Sequence, residues 1–229
     1  MEVGIQNDIP TYSGGLGVLA GDTIRTSADL KLPIVAVTML SKKGYFTQTL
    51  NNTGKQGESP VLWDPSHYMT LLPAKITVKI EGRDVVVQAW QFSVTSLTGG
   101  YVPIFFLDTD VEENDPDDRE ITSFLYGGDI AYRLKQEIVL GIGGVRMLNK
   151  LGFEIKKYHM NEGHSALLTF ELLKENNMDA EKVQHLCVFT THTPIEAAFD
   201  QFTYDLVKKV LGKEYLMSTV KQYAGQNKL

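Results

Sequence analysis

A glycine-rich stretch near the amino terminus reads Tyr12-Ser13-Gly14-Gly15-Leu16-Gly17-Val18-Leu19-Ala20-Gly21-Asp22 and decides the first part of the fold. From Val18 to Leu32 the apolar residues recur at roughly helical spacing, and Pro33 then stops a helix. Residues 34–40 are almost continuously apolar, as in a strand that is buried on both faces. This order predicts a helix followed by a parallel strand.

The next segments carry strand patterns of another kind. Residues 75–80 alternate between apolar and polar side chains, residues 81–84 have turn chemistry, and residues 85–94 are rich in strand-forming residues. Residues 101–107 have the composition of a further strand. We therefore expect an antiparallel hairpin inserted into an α/β chain.

The second half of the chain alternates between helices and strands. Hydrophobic spacing predicts a long helix over 129–151, which Gly152 ends. Shorter patterns predict a strand over 153–159, a helix over 165–174, a strand over 186–190 and a helix over 204–211. Strands that alternate with helices form parallel sheets, so the predicted fold class is α/β, a Rossmann-like parallel sheet with helices on both faces and the hairpin insertion.

Composition excludes several classes of protein. The chain has 229 residues, 43% of them hydrophobic, and a net charge of -6, which gives it no electropositive footprint for nucleic acid or anionic membranes. It contains no apolar run long enough to span a membrane, and its first residues show no signal-peptide pattern. The one cysteine, Cys187, lies in a predicted buried strand. We expect a cytoplasmic protein.

Two metal sites are considered and set aside. Residues 108–120 are acidic, but the sixth and twelfth positions of a calcium loop would be Glu113 and Arg119, where glycine and glutamate are needed. His159 and His164 are five residues apart with a glycine between them, which does not suit zinc on one helical face. The sequence predicts no metal site.

The glycine cluster before the first helix is a candidate anion site. Glycines let the backbone approach a ligand, and a helix start offers unpaired N–H groups at a positive dipole end. Residues 15–20 also match a dinucleotide pattern, but no strand directly precedes them and no acidic residue follows the next strand. We favour an anion-binding loop over the alternative, a turn that only packs the helix.

Two further polar clusters follow predicted strands. One contains Glu162 and His164, and the other contains His192, Thr193 and Pro194 among further hydroxyls. The carboxyl ends of parallel strands form the ligand crevice of open α/β sheets, and these side chains suit a polyhydroxyl ligand. The alternative for each histidine is a purely structural role.

Taken together, these segments resemble the α-glucan phosphorylases, the glycogen, starch and maltodextrin phosphorylase family, especially its compact bacterial and archaeal branch. The resemblance follows the order of the chain and covers nearly all of it. It is carried by Glu2-Val-Gly-Ile, the glycine stretch 12–22, Gly44-Tyr-Phe, Tyr126-Gly-Gly-Asp, Arg133-Leu-Lys-Gln-Glu137, Asn161-Glu-Gly-His-Ser-Ala166 and Thr191-His-Thr-Pro194.

The resemblance implies that residues 1–229 are an incomplete amino-terminal α/β domain of a GT-B glycosyltransferase, truncated at its first strand. The implied reaction is reversible phosphorolysis of an α-1,4-glucan or maltooligosaccharide by inorganic phosphate, which yields glucose 1-phosphate. The implied cofactor is pyridoxal phosphate. Its Schiff-base lysine would lie in a carboxyl-terminal domain absent from this chain, so the chain alone is expected to be inactive. A homo-oligomer is compatible with the resemblance for the complete enzyme.

The resemblance also implies roles for individual residues. The backbone N–H groups around Gly14, Gly15 and Leu16 would cap the phosphate and sugar, with Ser13 standing where many members have asparagine. His192 would be the catalytic contact to the terminal glucosyl unit, through its carbonyl dipole. Glu162, His164 and Thr193 would line the substrate pocket. The Arg133–Glu137 signature receives no chemical role.

Two other functions remain as alternatives. A glycogen or starch synthase-like glycosyltransferase would share the fold, although such enzymes usually have Lys-Thr-Gly-Gly-Leu-Gly where this chain has Tyr12-Ser-Gly-Gly-Leu-Gly. A noncatalytic glucan-binding module would use exposed aromatic side chains, for which Tyr45, Phe46, Trp63 and Tyr68 are candidates.

Overall fold

The fold is given by a computed structural model that describes residues 1–193, 195, 199–212, 214, 215 and 217–224. The strands are β1 (Ala36–Met39), β2 (Phe46–Leu50), β3 (Gln56–Pro60), β4 (Thr70–Ile80), β5 (Arg83–Thr95), β6 (Tyr101–Asp108), β7 (Tyr158–Asn161) and β8 (Cys187–Thr190). The helices are α1 (Gly15–Asp29), α2 (Pro116–Arg119), α3 (Ile130–Glu137), α4 (Gly144–Lys150), α5 (Leu168–Glu175), α6 (Ala180–Leu186), α7 (Tyr204–Leu211) and α8 (Met217–Tyr223).

The main sheet has four strands in the order β1, β6, β5, β4. The only parallel pair in it is β1 with β6, while β6, β5 and β4 are antiparallel. The predicted hairpin is present, and its turn residues Glu81 and Gly82 both have positive φ (51° and 80°), as a tight hairpin turn requires. The hairpin is therefore part of the main sheet rather than an insertion beside it.

Helices cover both faces of this sheet, as predicted. Helix α1 packs against β5 and β6, where Ile24 and Ala28 meet the apolar side chains of Ile104 and Phe106. The helical segment from Ile130 to Lys150 covers the other face, at β4. Burial of these two apolar faces supplies the main driving force for this arrangement.

The strands of the second half were predicted to join the same parallel sheet, and among the described residues this prediction is wrong. Strands β7 and β8 pair in parallel with each other, Tyr158 beside Cys187, but form a separate two-stranded sheet. Short apolar runs indicate a strand without specifying its partner, so sequence pattern alone overestimated the parallel sheet. The observed class is a mixed α/β fold.

The predicted long helix is continuous but not uniform. Helices α3 and α4 are joined by a π-helical segment, Ile138–Gly143, whose six residues are buried. A Cβ atom on Gly141 would lie 2.7 Å from the backbone nitrogen of Leu168. The absence of a side chain at Gly141 therefore lets the segment before α5 approach this helix closely.

The acidic segment 108–120 is only partly the solvated loop that its composition predicts. Asp108 is fully buried, and its Oδ2 atom accepts hydrogen bonds from Gln88 and Trp90, both at 3.0 Å, and lies 2.9 Å from Lys42 Nζ. Asp118 is also buried and pairs with Arg83 at 2.8 Å. These carboxylates remain buried because each has donors to satisfy it.

Three further observations concern the exposed hairpin, the helices and the cysteine. The hairpin of β2 and β3 is exposed at every residue, and its weakly apolar sequence did not predict it. None of the described helices has the length and apolar character needed to cross a membrane. Cys187 is half-buried, and burial raises the pKa of its thiol, as in an unactivated structural cysteine.

Candidate active site

The glycine turn and the two strand-end segments meet at one cleft of about 510 Å³. The carboxyl ends of β7 and β8 bring their following loops to the start of α1, although the two strands do not belong to the main sheet. The residues that line this cleft are Glu2, Ser13, Gly14, Gly15, Leu16, Tyr126, His164, Thr193 and Ile195.

The glycines of the turn serve two different purposes. A Cβ atom on Gly14 or Gly15 would meet nothing within 4 Å. A Cβ atom on Gly17 would lie 2.5 Å from that of Tyr12, and one on Gly21 would lie 2.0 Å from the carbonyl oxygen of Gly4. Gly17 and Gly21 therefore pack α1 against the amino-terminal segment, whereas Gly14 and Gly15 leave open space at the cleft.

The start of α1 presents unpaired amides to this space. Gly14 precedes the helix in an extended conformation, and no side chain caps it. The amides of the first turn have no carbonyl one turn earlier in the helix to accept from them. Together with the positive end of the helix dipole, the unpaired amides, including those of Gly15 and Leu16, have the chemistry that a bound anion needs.

Glu2 holds two lining residues of the cleft, Ser13 and Tyr126, in place. It is 7% exposed, and its Oε2 atom accepts a hydrogen bond from the Ser13 backbone N–H at 2.5 Å. Its Oε1 atom accepts a hydrogen bond from the Tyr126 hydroxyl at 2.9 Å. Burial, followed by the negative charge of Glu2, raises the pKa of Tyr126, which therefore remains a neutral donor.

Glu162 holds the backbone of the second strand-end loop. It has a positive φ of 65° and is buried. Its Oε1 atom accepts hydrogen bonds from the backbone N–H groups of His192 and Thr193, the latter at 3.2 Å, while Oε2 is buried with no partner among the described residues. Glu162 is not among the lining residues of the cleft, and its observed partners are two backbone N–H groups and the Thr191 hydroxyl.

His192 lies beside the cleft rather than on its described lining. Its Nε2 atom is 2.6 Å from Asn161 Oδ1, which ties the loop after β8 to the end of β7. The next residue, Thr193, does line the cleft. Pro194, the last residue of this motif, lies outside the described residues.

His164 separates the cleft from a second cavity. Its ring centroid is 5.7 Å from that of Tyr126 on the cleft side. On the other side it lines a smaller cavity of about 290 Å³ together with Glu137, Asp200 and several aromatic side chains. His164 is therefore the only residue found in both linings among the described residues.

The Arg133–Glu137 signature lies next to His164 and its neighbour Asp200. The Arg133 guanidinium lies 4.9 Å from the centre of the Tyr126 ring and 2.5 Å from Asp200 Oδ2, while His164 Nδ1 lies 3.6 Å from the same oxygen. Sequence analysis gave this signature no role. It gave no signal at all for Asp200, which only the fold brings to His164.

The two carboxyl groups of this cluster have opposite pKa shifts. Burial, followed by repulsion from Asp200, raises the pKa of Glu137 to about 9. The neighbouring His164 and Arg133, both beside its Oδ2 atom, hold the pKa of Asp200 well below its ordinary value. Near neutral pH, Glu137 is therefore protonated and Asp200 is ionised.

The same cluster has the residue types of a metal site but not its chemistry. Glu137, His164 and Asp200 each place one ligand atom within 4.8 Å of the others. However, Arg133 already pairs with Asp200, and the protonated Glu137 is a poor ligand, because metal ligands must be deprotonated. We assign no metal to these residues.

The cleft has donors that suit a phosphate group, but its described lining has no residue that could attach an aldehyde cofactor covalently. Gly14 and Gly15 leave a cradle that a Cβ would enter, and the amides there can donate to phosphate oxygens. The described lining contains no lysine, so none of these residues can form a Schiff base with an aldehyde cofactor. The lining contains no arginine either, and its one acidic residue is Glu2.

Comparison with known proteins identifies relatives of this sequence. No protein-family model matches the chain. Maltodextrin phosphorylase of Thermococcus litoralis is 42% identical over an alignment of 228 positions, which covers 93% of this chain and 27% of that protein. Glycogen phosphorylase of Mycobacterium tuberculosis H37Rv is 36% identical with the same two coverages, and that of Aquifex aeolicus is 34% identical, covering 91% and 31%.

A concave candidate site at the start of a helix, in a mixed α/β fold, places the chain in the general class of α/β proteins with a cleft of ligand size. Within that class, the chain is homologous to a segment of the glycogen and maltodextrin phosphorylases. The resemblance carried by the sequence motifs is thereby confirmed. The chain spans about a quarter to a third of the length of these relatives.

Proposed function

We propose that this chain provides one wall of the active site of an α-1,4-glucan phosphorylase, the amino-terminal half of a GT-B enzyme that releases glucose 1-phosphate from a glucan or maltooligosaccharide and inorganic phosphate. The observation that carries this proposal is the shared cleft of the open glycine turn, His164 and Thr193, in a chain with phosphorylase relatives. A cytoplasmic setting is part of the proposal.

In this proposal the glycine turn holds the oxyanion. Backbone N–H groups at Gly14, Gly15 and Leu16 donate to phosphate or sugar oxygens, and the open space over the two glycines allows close approach. Donors that are already oriented stabilise developing negative charge without the cost of reorganising water. The backbone N–H of Ser13 donates to Glu2, so Ser13 would contact the ligand through its side-chain hydroxyl.

The second strand-end loop faces the terminal glucosyl unit. Glu162 binds the backbone N–H groups of His192 and Thr193, so the orientation of the peptide units in this loop is fixed. The proposed role of His192 is to direct its carbonyl dipole toward the positive charge that develops on the sugar as the glycosidic bond breaks. Thr193 offers a hydroxyl to the same ligand.

Pyridoxal phosphate, the cofactor of the proposed enzyme, supplies through its phosphate group the acid–base chemistry for the incoming phosphate when it is bound. Its Schiff-base lysine is proposed to lie in a carboxyl-terminal domain, which agrees with a cleft lining that has no lysine. The residues of this chain would bind, orient and shield the reacting sugar.

The test is a substitution in the full-length gene product. We expect Gly15→Val to lower phosphorolytic kcat/KM by at least about 100-fold, because a branched side chain would enter the space meant for the oxyanion, a loss of roughly 3 kcal/mol. The matched control is Gly57→Val, in the exposed strand β3, where the new side chain meets only the hydroxyl of Thr49. Near-normal activity of Gly15→Val would contradict the anion-binding role.

The same assay separates the remaining alternatives. Transfer from a nucleotide sugar without dependence on phosphate would favour a synthase-like glycosyltransferase. Binding of maltooligosaccharide without any transfer would favour a glucan-binding module, for which Phe46 and Tyr68 are exposed. The polar tips of the other two candidate aromatics, Tyr45 and Trp63, are buried.

A further inference from the structure

We propose that Asp200 is a positioning residue for His164, holding the ring proton on Nδ1 so that Nε2 faces the glycine-turn cleft as a hydrogen-bond acceptor for a ligand hydroxyl. This extends the proposed function and rests on it only for the identity of the ligand as a glucosyl unit. The position of the proton is a property of the chain itself.

The two edges of the His164 ring face different surroundings. Nδ1 lies 3.6 Å from Asp200 Oδ2, and Asp200 lines the second cavity but not the cleft. Because His164 lines both cavities and its Nδ1 lies beside Asp200, we infer that the opposite ring edge, which carries Nε2, faces the cleft. A carboxylate beside one imidazole nitrogen favours the proton on that nitrogen and fixes the tautomer.

The charged groups around the pair favour this arrangement. Arg133 lies 2.5 Å from Asp200 Oδ2 and balances its charge, while Glu137 remains protonated beside it. Asp200 is thus a single ionised carboxylate with its own counterion, Arg133.

Three other titratable groups belong to this neighbourhood. Tyr126, whose hydroxyl donates to Glu2, lies beside His164 with its ring plane tilted by 55° from the imidazole. The amino group of Met1 interacts electrostatically with Glu2, Glu137 and Arg133, and burial lowers its pKa to about 6. Above that pH this amino group is neutral, so it adds no charge to the pair.

A ring whose proton is held on Nδ1 has a definite chemical use. With Nδ1 protonated, Nε2 carries a lone pair and can accept a hydrogen bond from a hydroxyl group. The opposite tautomer would present a donor to the cleft and would compete with hydroxyl donors of the ligand. The proposal therefore makes His164 an acceptor, complementary to the amide donors of the glycine turn.

The proton position can be read from the ¹⁵N spectrum of the 229-residue chain labelled at histidine, recorded near pH 8. The His164 resonances are assigned by their loss in His164→Gln. We expect Nδ1 of His164 to give a pyrrole-type shift and Nε2 a pyridine-type shift. In Asp200→Asn, we expect the Nε2 signal to move toward the pyrrole type.

Two further variants control this result. Asp205→Asn changes an exposed carboxylate at the start of α7 in the same way, and should leave His164 unchanged. Glu137→Gln keeps a hydrogen-bond donor beside Asp200, so it should retain the Nδ1–H form. Circular dichroism of each variant shows whether a change in the spectrum is a change in fold.

The inference fails if the chain shows Nε2–H at His164, or if a folded Asp200→Asn keeps the original tautomer. Neither result depends on enzymatic activity. Absence of phosphorolysis by the full-length product would instead count against the proposed function and leave the tautomer assignment standing.

Discussion

At the scale of single residues, the glycine turn shows why one motif can serve packing and binding together. Gly17 and Gly21 have no room for a side chain, whereas Gly14 and Gly15 border open space. The packing alternative considered from the sequence therefore applies to two of the four positions. At the other two, an added Cβ atom would meet no atom within 4 Å beyond the neighbouring residues.

The buried Glu137 should make stability depend on pH in a specific direction. Its pKa is raised from 4.5 to about 9, so between those values unfolding releases a proton. The native state is therefore disfavoured as the pH rises through this window, by up to about 1.4 kcal/mol per pH unit, and the penalty is absent below about pH 4.5.

The corresponding measurement is urea unfolding of Glu137→Gln and the unchanged chain from pH 5 to pH 8. The stability of the variant relative to the unchanged chain should increase with pH, since glutamine cannot ionise. Subtracting the two curves cancels the titration of groups common to both proteins. Glu154→Gln, at an exposed position, should give a flat difference, and a flat difference for Glu137→Gln would refute the raised pKa.

At the scale of elements, the π-helical segment and the start of α5 depend on one close contact. Gly141→Ala would place a Cβ atom 2.7 Å from Leu168 N and 3.1 Å from Ser165 O, both backbone atoms that cannot rotate away. We expect a loss of about 2 kcal/mol or more in the free energy of unfolding, as in other overpacked cores.

Gly144, one turn further along, is the matched control. A Cβ atom there would lie 3.5 Å from Val37 Cγ1, an ordinary contact, and alanine is a better helix former than glycine. Gly144→Ala should therefore be neutral or stabilising by up to about 1 kcal/mol. Chemical denaturation of both variants measures the pair, and equal effects would argue against the close contact at Gly141.

At the scale of the whole molecule, the described lining of the cleft has hydrogen-bond donors but no cationic side chain. We expect the purified 229-residue chain to form no measurable glucose 1-phosphate from maltooligosaccharide and phosphate, even with pyridoxal phosphate added. The physical reason is that the described cleft lining has no lysine to form a Schiff base with the cofactor and no cationic side chain to bind phosphate. Sustained phosphorolysis by this chain would show that the proposed division of the active site is wrong.

The sequence predicted those elements whose pattern is strong and local. The hairpin of β4 and β5, the strand β6 and the helix α7 were predicted because alternation, turn residues and helical spacing are properties of neighbouring residues. The exposed hairpin of β2 and β3 was missed because it has no buried face to impose a pattern. The pairing of β7 and β8 apart from the main sheet was likewise beyond local pattern.

The sequence by itself determined the family, the α/β class, and the polar residues that follow the strands, since each is written in adjacent side chains. Only the tertiary structure decided which glycines are open, and that Glu162 binds loop backbone. It alone brought Arg133, Glu137 and Asp200 to His164. These last features depend on contacts between residues that are distant in the sequence, and the distances between them are set by how the apolar faces pack.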